Sequence, residues 1–421
     1  MIQKQTNKQA TDNPEMTFGG LGIAPKLLET LDNLGFKNPT PIQYKTIPAT
    51  IEGKDVIGIA QTGTGKTLAF GIPMIQRILQ TKNGKGLIIL PTRELAIQVE
   101  ETLRRIGRAF GLKTVVLIGG TSIRQQIQMI RNNPHIVIGT PGRINDHLQQ
   151  KTLSLRDVSV LVLDEADRMF DMGFAPQIKR ILQVVPEDRQ SMLFSATMPD
   201  DIAKIASSHM KLPVRVEIVK QGTATENVEH ELFVVSKNQK LALLKKLLSE
   251  YRGSVLIFIR VKFGAKKICQ DLKNVGVSAA EIHSNRSLSQ RREALEGFKF
   301  GRYRVLVATD IASRGIDVKN IELVINFDLP ENPEDYVHRI GRTGRAGMKG
   351  KAISFVLPNQ AFKIREIEKL TSLRLPVSKL PENLPIAESQ TSIQNPRSSF
   401  MVRPERPTNR QRYRYGYGKR R

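Results

Sequence analysis

Short β-branched runs alternate with stretches of helical period along almost the whole chain, and they do so twice over. The first series is "DVIGIA" (55–60), "GLIIL" (86–90), "TVVLI" (114–118), "HIVIGT" (135–140), "VLVLD" (160–164) and "SMLFS" (191–195). The second is "VLIFI" (255–259), "AAEIH" (279–283), "RVLVATD" (304–310), "ELVINFD" (322–328) and "KAISFVL" (351–357). Between them lie segments such as residues 93–110, where Leu95, Val99, Leu103 and Ile106 fall on one helical face. Continuous apolar strands alternating with amphipathic helices specify an α/β fold, in which mostly parallel sheets carry helices on both faces. At 421 residues the chain exceeds one ordinary hydrophobic core. Residues 219–230 lack an apolar period and read as a linker between domains at 17–218 and 231–376. Residues 1–16 read as a flexible N-terminus. After about Pro376, Pro, Ser, Gln and Arg replace the pattern, so 377–421 reads as a disordered basic tail.

The first strand runs directly into "AQTGTGKT" (60–67) and then a helix. In such a loop small residues let backbone N–H groups surround phosphates, Lys66 reaches the terminal ones, and Thr67 holds Mg²⁺. Thr62, Gly63, Thr64 and Gly65 supply the cradle. The first glycine of the general pattern is Ala60 here. "VLVLDEADRMF" (160–170) sets Asp164 and Glu165 just past the carboxyl end of an apolar strand, where open α/β sheets keep their ligands. Asp164 is assigned to Mg²⁺ through its waters and Glu165 to polarising the attacking water.

These motifs, with "GFKNPTPIQ" (35–43), "PTREL" (91–95), "TPGR" (140–143), "SAT" (195–197), "VLVATDIASRGID" (305–317) and "HRIGRTGR" (338–345), resemble the DEAD-box RNA helicases over roughly Phe18 to Leu375. The short N-terminus and basic tail resemble the bacterial RhlE-like subgroup. The resemblance implies two tandem RecA-like domains and ATP as the nucleotide. It implies that Gln43 reads the adenine edge, Phe18 stacks on the base, and Asp317 lies at the ribose. Ser195 and Thr197, with Asp167, are implied to link hydrolysis to strand separation. His338 and Arg314 are implied to couple the domains, while Arg342 and Arg345 act as arginine fingers completing the catalytic set of Lys66 and Glu165. RNA backbone is implied at Arg93, Gly119, Gly120, Thr140, Gly142 and Arg143, with Thr309 in the second domain. Two departures bear on RNA contact: Leu288 stands where the family usually has Gln, three before Arg291, and Val261 where Thr is common.

A formal charge of +25 points to a polyanionic partner. Residues 379–421 carry +7 of it, so the folded part is basic in its own right. No apolar run is long enough to span a membrane, and one cysteine, Cys269, excludes internal disulfides and Cys-rich metal sites. The resulting expectation is a cytoplasmic, monomeric, ATP-dependent RNA helicase that locally and non-processively unwinds short RNA duplexes or remodels RNA–protein complexes, working beside RNA-processing or ribosome-assembly proteins. An ATP-gated RNA clamp and a DNA translocase are the alternatives. In "RPERPTNRQRYRYGYGKRR" (403–421), alternating Arg and Tyr suit an RNA tether.

Overall fold

Two seven-stranded sheets carry the chain, and among the described residues every ladder is parallel. The computed structural model describes residues 16–61, 63–218, 228–310, 321–344, 349–382 and 384. The first sheet holds β1 (Val56–Ile59), β2 (Lys85–Ile89), β3 (Thr114–Leu117), β4 (Ile136–Gly139), β5 (Val158–Asp164), β6 (Gln190–Ser195) and β7 (Val214–Glu217), in the order β3-β4-β2-β5-β6-β1-β7. The second holds β8 (Val228–Val234), β9 (Val255–Phe258), β10 (Ala279–Ile282), β11 (Val305–Ala308), β12 (Leu323–Asn326), β13 (Gly350–Val356) and β14 (Val377–Ser378), in the order β10-β11-β9-β12-β13-β8-β14. Counted from their own first strands, the two orders are identical.

Alternation along each strand builds the cores. Val160 and Val162 join one apolar cluster, whereas Leu161 and Leu163 join the other, and Val255 and Ile257 are separated from Leu256 and Phe258 in the same way. Both faces of each sheet are therefore covered, which is why the central strands read as unbroken apolar runs.

Three strands went unread in the sequence. β7 is half exposed, β8 carries Glu229, His230 and Glu231 among its apolar residues, and β14 has two residues. None shows the continuous apolar run of a central strand. Two boundaries shift in consequence. β8 begins at Val228, inside the expected linker, because seven residues pair in register with β13; the rest of that linker, 219–227, lies outside the described residues. The expected tail does not start at 377: Val377 and Ser378 pair with Leu232 and Phe233, and Leu380 and Leu384 pack on the second lobe's core. The remainder of the tail and residues 1–15 lie outside the described residues.

Candidate functional site

The strand order sorts the expected functional residues into two neighbouring groups. The loops after β1, β5 and β6, adjacent strands of the first sheet, bear the nucleotide motifs. Those after β2, β3 and β4, also adjacent, bear the RNA motifs. All of them leave the carboxyl ends of their strands, where parallel sheets present ligand sites.

In the nucleotide group the phosphate loop ends in a left-handed turn. Gly63 and Gly65 have φ of 83° and 93°, and Gly65 caps the helix Lys66–Gln80. A Cβ at Gly65 would collide with Gln43 Nε2 and come within 2.9 Å of Thr40 Oγ1. Gln43 is buried in the first turn of the helix Pro41–Ile51. Its Nε2 donates to the Gly65 carbonyl at 2.9 Å, and its Oε1 accepts from the Thr40 N–H at 2.9 Å. The amide expected to read adenine thus also fixes the loop expected to hold phosphate. Phe18, expected to stack on the base, is 5% exposed within the first lobe's larger apolar cluster. Thr64 Oγ1 donates to the Gln61 carbonyl at 2.7 Å. Thr62 lies outside the described residues.

Lys66 enters a buried ion cluster. Its Nζ lies 3.0 Å from Glu165 Oε1 and 3.9 Å from Asp164 Oδ1, and Arg168 Nε lies 3.0 Å from Glu165 Oε2. Burial alone would lower the Lys66 pKa, but Glu165 and Asp164 outweigh it and raise it. The two carboxyls part company. Asp164 is pushed up to about 7, chiefly by burial; Lys66 at 3.9 Å offsets only part of that, and Glu165 adds like charge. Glu165 feels the same burial, yet Arg168 and Lys66 overcome it and hold its carboxyl well below the usual range, with Arg342 adding to the effect. Glu165 also sits in left-handed backbone, φ 55° and ψ 47°. For a non-glycine that conformation costs roughly 1–3 kcal/mol and clusters at functional sites.

The "SAT" segment is tied to the same helix start. Ser195 Oγ accepts from the Asp167 N–H at 3.1 Å, and Asp167 Oδ2 accepts from the N–H groups of Ala196 and Thr197 and from Thr197 Oγ1 at 2.9–3.1 Å. From the second lobe the helix Pro333–Ile340 brings His338, and Arg342 follows its end. Thr197, Arg168 and Gln61 of the first lobe share a cavity of about 230 Å³ with Val337, His338, Gly341 and Arg342 of the second. Burial, with Arg168 assisting, pushes His338 down to about 4, so it is neutral at pH 7. Arg314, Asp317 and Arg345 lie outside the described residues.

The RNA group forms a second cleft. Arg93, Gly119, Thr140, Gly142 and Arg143 line it with Ser284 and Arg291 of the second lobe. Gly120 lies directly under the Arg93 guanidinium, which a Cβ there would meet. Thr309 follows β11 and is held by its N–H to the Ile282 carbonyl at 3.2 Å; it does not line this cleft.

Some roles were missed. Arg339, one of three arginines in "HRIGRTGR", serves its own lobe. It is 2% exposed and donates to both oxygens of Asp310 at 2.6 and 2.7 Å, to Asn326 Oδ1 at 3.0 Å and to the Asp328 carbonyl at 2.6 Å. Its place on the inward side of an amphipathic helix was the available signal. Arg168, buried against Glu165, lies at helical spacing i+3 from it and was likewise legible. The bond from Arg291 to Glu94 across the lobes had no local signal.

Comparison with known proteins agrees with this geometry. The family model described as DEAD/DEAH box helicase matches residues 40–205, and the one described as helicase conserved C-terminal domain matches 239–347. The "DEAD-box ATP-dependent RNA helicase CshA" of Bacillus cereus is 43% identical over 361 residues, covering 85% of this chain and 69% of the relative. S. cerevisiae Dbp5 bound to RNA and ADP BeF3 superposes with a TM-score of 0.75 at 30% identity, over 86% of this chain and 95% of that one. Mss116p bound to ssRNA and AMP-PNP gives 0.79 at 29% identity, over 88% and 81%. The two lobes are the tandem RecA-like domains expected from the motifs. These relatives carry the family likeness rather than the finer RhlE-like one.

Proposed function

Since the chain belongs to the DEAD-box ATP-dependent RNA helicase family, we propose that it hydrolyses ATP in the cleft between its lobes and couples that step to local RNA strand separation through the neighbouring cleft. The protein is an RNA-stimulated ATPase and RNA helicase. In this reading the loop 60–67 holds the phosphates, with Lys66 on the terminal ones, and Glu165 accepts a proton from the attacking water. Phe18 and Gln43 serve the base and Asp317 the ribose. Arg342 and Arg345 stabilise charge from the second lobe. Ser195, Thr197, Asp167, His338 and Arg314 relay the state of the site between lobes.

The observation that carries this reading is the convergence on one cavity of Arg168, bonded to Glu165, with His338 and Arg342 from the other lobe. Lys66 would leave its carboxylate partners for phosphate, and Arg168 would keep Glu165 ionised and aimed. Asp164 and the Thr67 hydroxyl fit a Mg²⁺ ion: Asp164 is a buried carboxyl whose charge is under-compensated. Among the described residues no group of three His, Cys, Asp or Glu could hold a metal by itself. When bound, Mg²⁺ neutralises charge on the transferred phosphoryl group.

RNA would be gripped through phosphates and 2′-hydroxyls by Arg93, Gly119, Gly120, Thr140, Gly142, Arg143 and Thr309, giving little sequence preference. A non-processive monomer acting in the cytoplasm on RNA or RNA–protein particles completes the reading. No described helix is long and apolar enough to cross a membrane.

Glu165→Gln tests the core of it. The amide keeps the shape and loses the base, so turnover falls by about 10²–10⁴, while ATP still binds and the protein stays trapped on RNA. Wild-type turnover in this variant refutes the assignment. Multiple-turnover unwinding of a short RNA duplex beside a DNA duplex separates helicase from clamp and translocase.

A further inference from the structure

We propose that Leu288 is an apolar anchor that draws the two lobes together beside the RNA cleft before RNA bridges them. The proposal rests on reading that cleft as the RNA path. The helix Leu288–Lys299 starts with its direction fixed: Ser287 Oγ accepts from the Gln290 N–H at 3.3 Å, and Gln290 Oε1 accepts from the Ser287 N–H at 3.1 Å. Gln290 is thereby committed to the cap. Leu288 and Arg291, three residues apart, share one face of that helix. Both reach the first lobe. Leu288 is half-buried and packs against the first lobe's larger apolar cluster. Arg291 Nη2 donates to Glu94 Oε2 at 2.9 Å, with side-chain exposures of 10% and 7%.

The two contacts contribute differently. Taking a guanidinium and a carboxylate out of water costs about as much as their attraction returns. Burial does lower the Arg291 pKa in spite of Glu94. The pair therefore sets register, while the net attraction comes from apolar surface that Leu288 removes from water. A glutamine there would have to keep its amide hydrated or find it a partner. The register matters for the cleft, because Glu94 is a carboxylate on the wall where phosphates are to lie, and Arg291 neutralises it only when the lobes meet.

The test uses the full chain. Cys269 is its only cysteine and is buried, so one surface cysteine introduced on each lobe takes a fluorophore pair. Energy transfer is read with a non-hydrolysable ATP analogue and no RNA. Leu288→Gln is expected to shift the closed-to-open ratio toward open by about tenfold, equivalent to 1.4 kcal/mol, and to raise half-saturating RNA for the ATPase by a similar factor. Turnover at saturating RNA stays near wild type. Leu288→Met keeps the wild-type ratio, and Leu288→Ala falls between. Unchanged energy transfer and unchanged half-saturation in Leu288→Gln overturn the proposal, as does a loss of turnover alone. Arg143→Ala is the separate control: wild-type RNA affinity in that variant refutes the RNA-cleft reading, whatever Leu288 does.

Discussion

Adjacent carboxyls are shifted in opposite directions here, because the neighbours of each are different. Glu165 has two cations at 3.0 Å and stays ionised, whereas Asp164 has Lys66 at 3.9 Å and an anionic neighbour, and is pushed up to about 7. That asymmetry separates the residue proposed as base from the one proposed to hold Mg²⁺. His338 shows the same rule with opposite sign. Its folded pKa of about 4 lies below the ordinary 6.5, so the folded state refuses a proton that the unfolded chain accepts. Above pH 6.5 both states are neutral and the group contributes no pH dependence. As pH falls toward 4, stability is lost, by about 2 kcal/mol at pH 5. The imidazole resonance that disappears in His338→Gln should accordingly titrate near 4. A midpoint near 6.5 would show that the ring is solvated and that its cross-lobe role is misassigned.

Among the elements, the entry to the helix Lys66–Gln80 is constrained at Gly65. Gly65 needs φ of 93°, and Gln43 occupies the space its Cβ would take. Left-handed backbone costs a side-chain-bearing residue roughly 1–2 kcal/mol, and displacing Gln43 releases the loop as well. Gly65→Ala should weaken ATP binding by about tenfold or more. Gly111→Ala is the control, since its φ of 67° carries the same backbone cost with nothing within 4 Å and no link to the loop. Equal ATP affinities in the two variants, measured by calorimetry, would mean that Gln43 does not support the phosphate loop. On the facing lobe, Glu334, Val337, His338 and Gly341 line the cavity from one side of a helix. Their spacing of i, i+3, i+4 and i+7 puts them on one face, so the cavity is walled by the face rather than by one residue.

At the scale of the molecule, the proposed site is divided between the lobes. Glu165 and Lys66 lie in the first lobe and Arg342 in the second, and Arg342 already depresses the Glu165 pKa across the cleft. Arg342→Ala should reduce RNA-stimulated turnover by about 10³ or more while leaving ATP affinity nearly intact, because such an arginine acts mainly in the transition state. Paired measurements of turnover and nucleotide affinity check this. A parallel loss in both would make Arg342 a ground-state ligand instead. The two sheets share one strand order, and the cavity lined by Thr197 and Arg342 and the cleft lined by Arg143 and Arg291 each draw residues from both lobes.

The sequence by itself determined whatever rests on local spacing. Central parallel strands are buried on both faces, so their apolar runs announced the α/β class and the repeat of the scheme. The glycines and Lys66 of the phosphate loop, and the acidic pair after β5, are contiguous segments whose geometry follows from a strand, a turn and a helix. What spacing does not encode is which distant segments meet. Within "HRIGRTGR" the resemblance singles out Arg342 and Arg345 and leaves Arg339 without a role; the helix turns Arg339 inward to Asp310 and leaves Arg342 at the cleft. Leu288 reads as a departure that bears on RNA contact; the fold seats it against the other lobe's core. Edge strands such as β7 and β14 escaped because half-exposed backbone imposes no apolar pattern. The charge state of Asp164, the commitment of Arg291 to Glu94 and the side-by-side placing of the two clefts depend on burial and strand order, which only the folded chain creates.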